Sequence, residues 1–247
     1  MSARTGVRAS SLLHDAGADA WAAAVRHPMV VAIGDGTLPH ATFRRYFTQN
    51  VLYLEGYARA IGATIAKAPD RAAIDVLTRF GAQIVRTEIP ANLAFLERLG
   101  GDPDTVAGRG VELPTTYAYT RHLLSVCLLG DCADGLTAVL PCQWSYGELA
   151  RPLMARRPAD PIYADWIGMF GNDDYDALVA ETTALLDRLV DPSDEARMRR
   201  LSAIFERSTR YEREFWDMAY GSDPAGRSPD DAGNETDDQA AHERGAH

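Results

Sequence analysis

Two side chains stand out as candidates for chemistry because each is reactive and lies on a stripe of apolar residues. The first is Cys142, in the run Leu140-Pro141-Cys142-Gln143-Trp144-Ser145-Tyr146. A cysteine attacks carbon only as the thiolate, so a local partner must ease loss of its proton. The plain alternative is a buried free cysteine acting as a small hydrophobe. Pro141 removes a backbone N–H just before it and loosens the helix there. Tyr146 falls one turn on, on the same face. The second candidate is Glu212. It shares a stripe with Phe205, Ser208, Phe215 and Trp216, while Arg207, Arg210, Arg213 and Glu214 can face outward. A carboxyl on an aromatic face has a raised pKa and can both give and take a proton near neutrality. The alternative is a buried ion pair with an arginine from another helix.

Binding residues follow the same helical spacing. Tyr46, Asn50, Tyr53 and Tyr57 lie at i, i+4, i+7 and i+11, on one face. Tyrosine rings there can stack on a flat ligand while Asn50 offers a donor and an acceptor. Equally, they can pack as core with hydroxyls reaching the rim. Tyr119 and His122 are three apart in a further helix, and His122 reads as a satisfied core histidine. Cys127 and Cys132 read as packing residues. Three cysteines with no histidine nearby do not make a zinc site, and their odd number favours free thiols in a reducing compartment.

These residues need long helices to hold them. Helical periodicity fills almost every segment between breakers. Runs are expected over 10–26, 39–67, 70–99 with a kink at Pro90, 114–129, 132–154 with Pro141 inside, 161–170, 173–190 and 193–220. Gly34-Asp35-Gly36 reads as a turn, and 100–113 as a polar loop. Ser193 reads as the cap of the last helix. The fold class is therefore all-α, seven or eight helices over 1–221, followed by a tail over 222–247. That tail holds seven acids and two bases, hence −5 of the chain's formal −10. Its lack of large apolar residues predicts disorder.

The charge argues against nucleic acid as a partner, since no basic surplus is available to neutralise phosphates. No apolar run reaches the roughly 18–20 residues of a membrane helix, and no secretory signal follows Met1-Ser2-Ala3-Arg4. A cytoplasmic location is expected.

Five segments together resemble the TenA family of thiaminase II enzymes (aminopyrimidine aminohydrolases). They are Thr48-Gln49-Asn50-Val51-Leu52-Tyr53-Leu54, Pro114–His122 with its Tyr117-Ala118-Tyr119, the Leu140–Tyr146 run, Pro161-Ile162-Tyr163-Ala164-Asp165-Trp166-Ile167-Gly168, and Tyr211-Glu212-Arg213-Glu214-Phe215-Trp216-Asp217-Met218-Ala219-Tyr220. The resemblance spans about Leu12 to Tyr220 and implies a haem-oxygenase-like helical bundle. It implies Cys142 as nucleophile toward an electron-poor pyrimidine and Glu212 as the residue that exchanges a proton with a ring nitrogen. It further implies Tyr53 and Tyr146 as a sandwich around the ring, and Tyr119 as a hydrogen-bonding neighbour of the nucleophile. Asn50, Phe170 and Phe215 complete the expected pocket. Neither metal nor organic cofactor is implied. The expected partner is a small pyrimidine, and the expected assembly a homotetramer.

Two positions depart from the family pattern. Asn50 stands where aspartate is usual, and Phe170 where tyrosine is frequent. An amide can still accept from an exocyclic amine and donate to the neighbouring ring nitrogen, as asparagine does with adenine. The lost charge is worth the difference between a charge-assisted bond of roughly 1.5–3 kcal/mol and a neutral one of about 1. The leading expectation is a hydrolase of thiamin or its aminopyrimidine breakdown products; turnover restored in Asn50→Asp would show that only tuning was lost. The alternative is a pyrimidine-binding or regulatory protein without turnover. Retention of Cys142 and Glu212 speaks against an oxidase like the PQQ-synthesis relatives. Glu88 with Asn92 does not form the Glu-x-x-His pair of a di-iron bundle.

Overall fold

The computed structural model describes residues 6–221. The expected tail over 222–247 and the N-terminal five residues lie outside the described residues. Among those described there are twelve α-helices and one π-helical turn, with no strand. They are α1 Ala9–Ala16, α2 Ala18–Val25, α3 Pro28–Asp35, α4 His40–Ile65, α5 Arg71–Gln83, the π turn Ile84–Glu88, α6 Ile89–Arg98, α7 Pro103–Arg109, α8 Pro114–Leu129, α9 Cys132–Leu153, α10 Pro161–Phe170, α11 Asp173–Leu189 and α12 Glu195–Tyr220.

The long helices fall where hydrophobic periodicity places them, and the count exceeds seven or eight for local reasons. The run over 10–26 is two helices, because the chain leaves helical geometry at Gly17. A side chain there would meet the Phe205 ring in ordinary van der Waals contact, 3.4 Å from a would-be Cβ. Residues Pro28–Asp35 form a helix where only a turn was expected. His27 caps it, its Nδ1 accepting from the Met29 N–H at 3.1 Å, and Gly36 ends it at φ +69°, a conformation glycine adopts without penalty. The polar loop contains α7, started by Asp102 accepting from the Asp104 and Thr105 amides ahead of Pro103. On α12 the cap is Asp194, which accepts from the Arg197 N–H at 3.0 Å. Ser193 instead donates to Asp191.

The helices α4, α8, α9 and α12 carry the chemistry-bearing residues, and their approach is set by small residues. Gly56 of α4 faces Thr120 of α8, whose Cγ2 would lie 2.8 Å from an added Cβ. Gly135 of α9 faces Thr64 of α4 so closely that any Cβ would overlap the Thr64 hydroxyl. An aromatic cluster fills the interior beyond these crossings. Trp216 stacks on Tyr46 at 5.2 Å and on Tyr146 at 5.5 Å, and Trp166 packs edge-on to both tyrosines. Helix ends are tied with charge. Lys67, the sole lysine, donates to the carbonyls of Cys127, Leu128 and Gly130, placing a cation at the negative end of α8. Asp131 and Asp134 form a capping box on α9, and Arg197 and Arg200 of α12 grip Asp134.

The Gly135 contact sets the distance between α4 and α9, and hence between Asn50 and Cys142. Gly135→Ala is expected to lower unfolding free energy by about 1–3 kcal/mol, as other overpacked cores do, read from urea denaturation.

Candidate active site

Each element delivers a different part of the site. The interior face of α4 carries Tyr46, Asn50, Tyr53 and Tyr57, all buried. From α9 come Cys142, half-buried, and Tyr146, buried. Tyr119 on α8 and Glu212 on α12 are 1 % and 4 % exposed. Among the described residues no arginine or lysine pairs with Glu212, so the ion-pair reading fails. Its partner is the Tyr119 hydroxyl, which donates to Oε1. The thiol of Cys142 is a second hydrogen-bonding neighbour. Burial pushes the Glu212 carboxyl up to about 7, and Tyr119 and Cys142 restrain that rise.

The thiol behaves differently from expectation. A nucleophilic cysteine calls for a lowered pKa, but burial first and the Glu212 charge second push Cys142 up, and the nearby Tyr53 and Tyr57 hydroxyls only restrain that rise. In the closed pocket the thiol is therefore protonated. Two acidic groups this near, in so dry a setting, hold one negative charge at most. The proton that Cys142 must lose has Glu212 as its adjacent acceptor.

The aromatic residues take separate parts. Tyr53 packs against Tyr119 at 4.9 Å and Phe215 at 5.5 Å, and its hydroxyl is buried without a hydrogen-bond partner. Tyr146 donates to or accepts from Tyr46 at 2.9 Å. Phe170 meets Tyr146 edge-on at 4.9 Å, so it supports that ring from behind. His122 is half-buried, not core as expected. Its Nε2 meets the Ser208 hydroxyl at 3.0 Å, and burial with nearby Arg207 pulls it down to about 4. Cys127 and Cys132 are buried packing residues.

A small cavity of about 10 Å³ opens beside Cys142. It is walled by Asn50, Leu54, Tyr57, Ile84, Glu88, Gln143, Tyr146 and Tyr175. Four polar residues in or beside this cavity were given no binding role from sequence: Glu88, Asn92, Gln143 and Tyr175. Asn92 fixes the direction of a short hydrogen-bond chain. Its Nδ2 donates to the Glu88 carbonyl at 2.7 Å, so its Oδ1 must accept, and Asn50 Nδ2 donates to it at 2.9 Å. A larger open groove between α4, α7 and α8 contains neither Cys142 nor Glu212.

The family model described as TENA/THI-4/PQQC matches residues 14–222. The chain belongs to that family. It is 34% identical over 206 residues to the aminopyrimidine aminohydrolase of Bacillus subtilis, covering 83% of this chain and 86% of that one. With the enzyme of the same name from Halalkalibacterium halodurans it shares 32% over 203 residues, covering 81% and 90%. A solved structure of a TenA family transcription regulator from a Silicibacter species superposes with TM-score 0.81 at 28% identity, covering 86% of this chain and 96% of that one. A Shewanella denitrificans domain with a heme oxygenase-like fold, 12% identical, superposes with TM-score 0.68 over 90% and 99% of the two chains. It shows the fold alone, and the all-helical fold of this family member is of that kind.

The Asn50–Asn92 bond bears on the Asn50→Asp variant. An ionised carboxylate only accepts, so Asn50→Asp sets an anion against the Asn92 carbonyl oxygen and brings a second acid to a cavity wall that already holds Glu88. A carboxyl introduced there is held above its ordinary pKa. The variant should stay close to wild type near pH 4 and lose stability as pH rises, by about 1–3 kcal/mol at pH 8. Thermal unfolding across that range measures it. Turnover higher than wild type would contradict this account.

Proposed function

We propose that this protein hydrolyses aminopyrimidines derived from thiamin, or thiamin itself, releasing a hydroxymethyl-pyrimidine. The observation that carries the reading is the meeting of Cys142 and Glu212, from separate helices, in a dry aromatic pocket without a counter-cation. The two relatives named as aminopyrimidine aminohydrolases support it.

The chemistry follows from who can hold the proton. Glu212, ionised in part near neutrality, takes the thiol proton of Cys142. The sulfur adds to an electron-poor ring carbon, and the π electron pair moves to a ring nitrogen, which takes the proton back from Glu212. Loss of that proton to Glu212 then expels the neutral thiazole, or the amine from its protonated form, at the methylene carbon. Water adds to the methylene as Glu212 returns its proton to the ring nitrogen and takes the proton the water gives up; the sulfur then departs, the ring-nitrogen proton passes back to it as the ring regains aromaticity, and Glu212 loses its proton to solvent. The balance is substrate plus water to alcohol plus leaving group, with Cys142 and Glu212 regenerated. Tyr119 holds Glu212 in place for both transfers. Tyr53 and Tyr146 flank the ring in this reading, with Phe215 and Phe170 behind them. The work is done in the cytoplasm by a homotetramer, which sedimentation of the full chain would test.

Product release from thiamin and from an aminomethyl-pyrimidine is the decisive assay. Cys142→Ser should abolish it. Glu212→Gln should lower kcat by roughly 10²–10⁴, the usual worth of a general acid–base. Nil rates in the wild type on both substrates would overturn the hydrolase reading. Binding of an aminopyrimidine without turnover would favour the regulatory one.

Glu212 also fixes a pH dependence. Because burial raises it from 4.5 to about 7, the kcat/KM profile should have a limb near pH 7 that is absent in Glu212→Gln. Stability associated with the neutral acid is complete below pH 4.5 and lost as pH rises through 7, a fall of about 3 kcal/mol at most. Unfolding of Glu212→Gln should be flatter over that window.

A further inference from the structure

Two buried polar atoms in the cavity wall have no hydrogen-bond partner: Oε1 of Glu88 and Nε2 of Gln143. Buried polar groups left alone are costly, so a pair of them facing one cavity needs a reason. Their surroundings show that both are held there. Gln143 has its other end engaged, since Oε1 accepts from the Thr182 hydroxyl at 2.7 Å. Glu88 is delivered by the π turn. Pro90 has no N–H and its ring crowds the carbonyl four residues back. The helix widens in response, and the Ile89 N–H bonds five residues back to Ile84. Ile84 and Glu88, the two ends of that turn, both reach the cavity. π turns of this kind are frequent at functional sites.

The residue expected to read the substrate's amino group is meanwhile partly committed. Asn50 gives an amide hydrogen to Asn92, and the direction of that bond is set by the Glu88 carbonyl. An acceptor and a donor on Glu88 and Gln143 remain.

We propose that Glu88 and Gln143 are the specificity-determining pair of this pocket, Glu88 Oε1 accepting from the exocyclic amine of an aminopyrimidine and Gln143 Nε2 donating to the adjacent ring nitrogen. This inference rests on the aminopyrimidine reading above. The match is that of an acceptor–donor pair to the donor–acceptor edge formed by an amine and its neighbouring ring nitrogen. Burial pushes the Glu88 carboxyl up to about 8, so at neutrality it presents a neutral acid, which can accept without a charge being stranded. Both residues touch the ligand without taking part in bond making, so their effect falls on recognition and leaves the Cys142 chemistry in place.

The test compares two ligands by calorimetry on the full chain: 4-amino-5-hydroxymethyl-2-methylpyrimidine and the same molecule lacking the 4-amino group. Wild type should prefer the amine at least tenfold. Glu88→Leu should bind the amine ten- to a hundredfold more weakly and discriminate less than threefold. Glu88→Gln, which keeps an acceptor oxygen, should retain the preference. Thermal stability of Glu88→Leu should equal or exceed that of wild type, because an orphaned carboxyl has been removed. Gln143→Met supplies a second readout that does not depend on the folding of the Glu88 variants, with the affinity for both ligands reduced about tenfold. Unchanged discrimination in Glu88→Leu, or unchanged affinity in Gln143→Met, overturns the proposal while leaving the hydrolase reading standing. A wild type that binds neither ligand overturns the aminopyrimidine reading and this pair with it.

Discussion

Burying a carboxyl group without a cation is the constraint from which the rest of this molecule follows. Glu212 sits among Tyr119, Phe215 and the thiol of Cys142, shielded from water by four long helices. In such surroundings the charged form is disfavoured, and the group titrates near 7 instead of near 4.5. An arginine partner would have made the site more conventional and chemically inert, because a paired carboxylate gives up its charge only at low pH. A phenol partner leaves the proton mobile. The same dryness forbids a free thiolate at Cys142, so nucleophile and base are active only as a unit that shares a proton. The ring they attack must accept the negative charge that the pocket cannot hold.

That constraint explains which parts of the fold were legible in the sequence. The stripe from Phe205 to Trp216 and the register of Tyr46, Asn50, Tyr53 and Tyr57 were readable because a buried helix face repeats every three or four residues. The lengths of α4, α8, α9 and α12 follow the same rule. Helices α3 and α7 are one or two turns long, too short for periodicity to register, and were signalled only by His27-Pro28 and Asp102-Pro103. The break at Gly17 interrupts an apolar stripe that runs on across it through Ala20 and Trp21, so periodicity does not register it. Cys142 and Glu212 were visible as polar groups on apolar stripes. What lay beyond local pattern was the identity of their partners. Whether Glu212 would meet an arginine or a tyrosine depended on the α8–α12 crossing.

The place of Glu88, Asn92 and Gln143 at the cavity was illegible for a different reason. An ideal α-helix through Pro90 does not predict where Glu88 points, because the π turn adds a residue and rotates everything before it. Pro90 announced a kink, but a kink has several resolutions, and only one of them carries Glu88 to the cavity. Gln143 follows the nucleophile directly and so faces away from Cys142 on the helix surface. It reaches the cavity because Thr182 of α11 holds the far end of its amide.

The Asn50–Asn92–Glu88 chain shows how a substitution that looks like loss can be part of a matched set. Taken alone, asparagine at position 50 removes a charge and suggests a weakened enzyme. Within the pocket it donates to an acceptor whose direction is imposed by a backbone carbonyl, a bond no carboxylate can make. The acid function that position 50 lacks is present nearby in Glu88, on a side chain freed by the same backbone distortion whose carbonyl orders the amides. Polarity in the pocket has thus been redistributed, with amides where one would expect an anion and a neutral acid where the helix widens. A pocket arranged this way recognises its ligand through directed hydrogen bonds, and keeps the single permitted negative charge for Cys142 and Glu212.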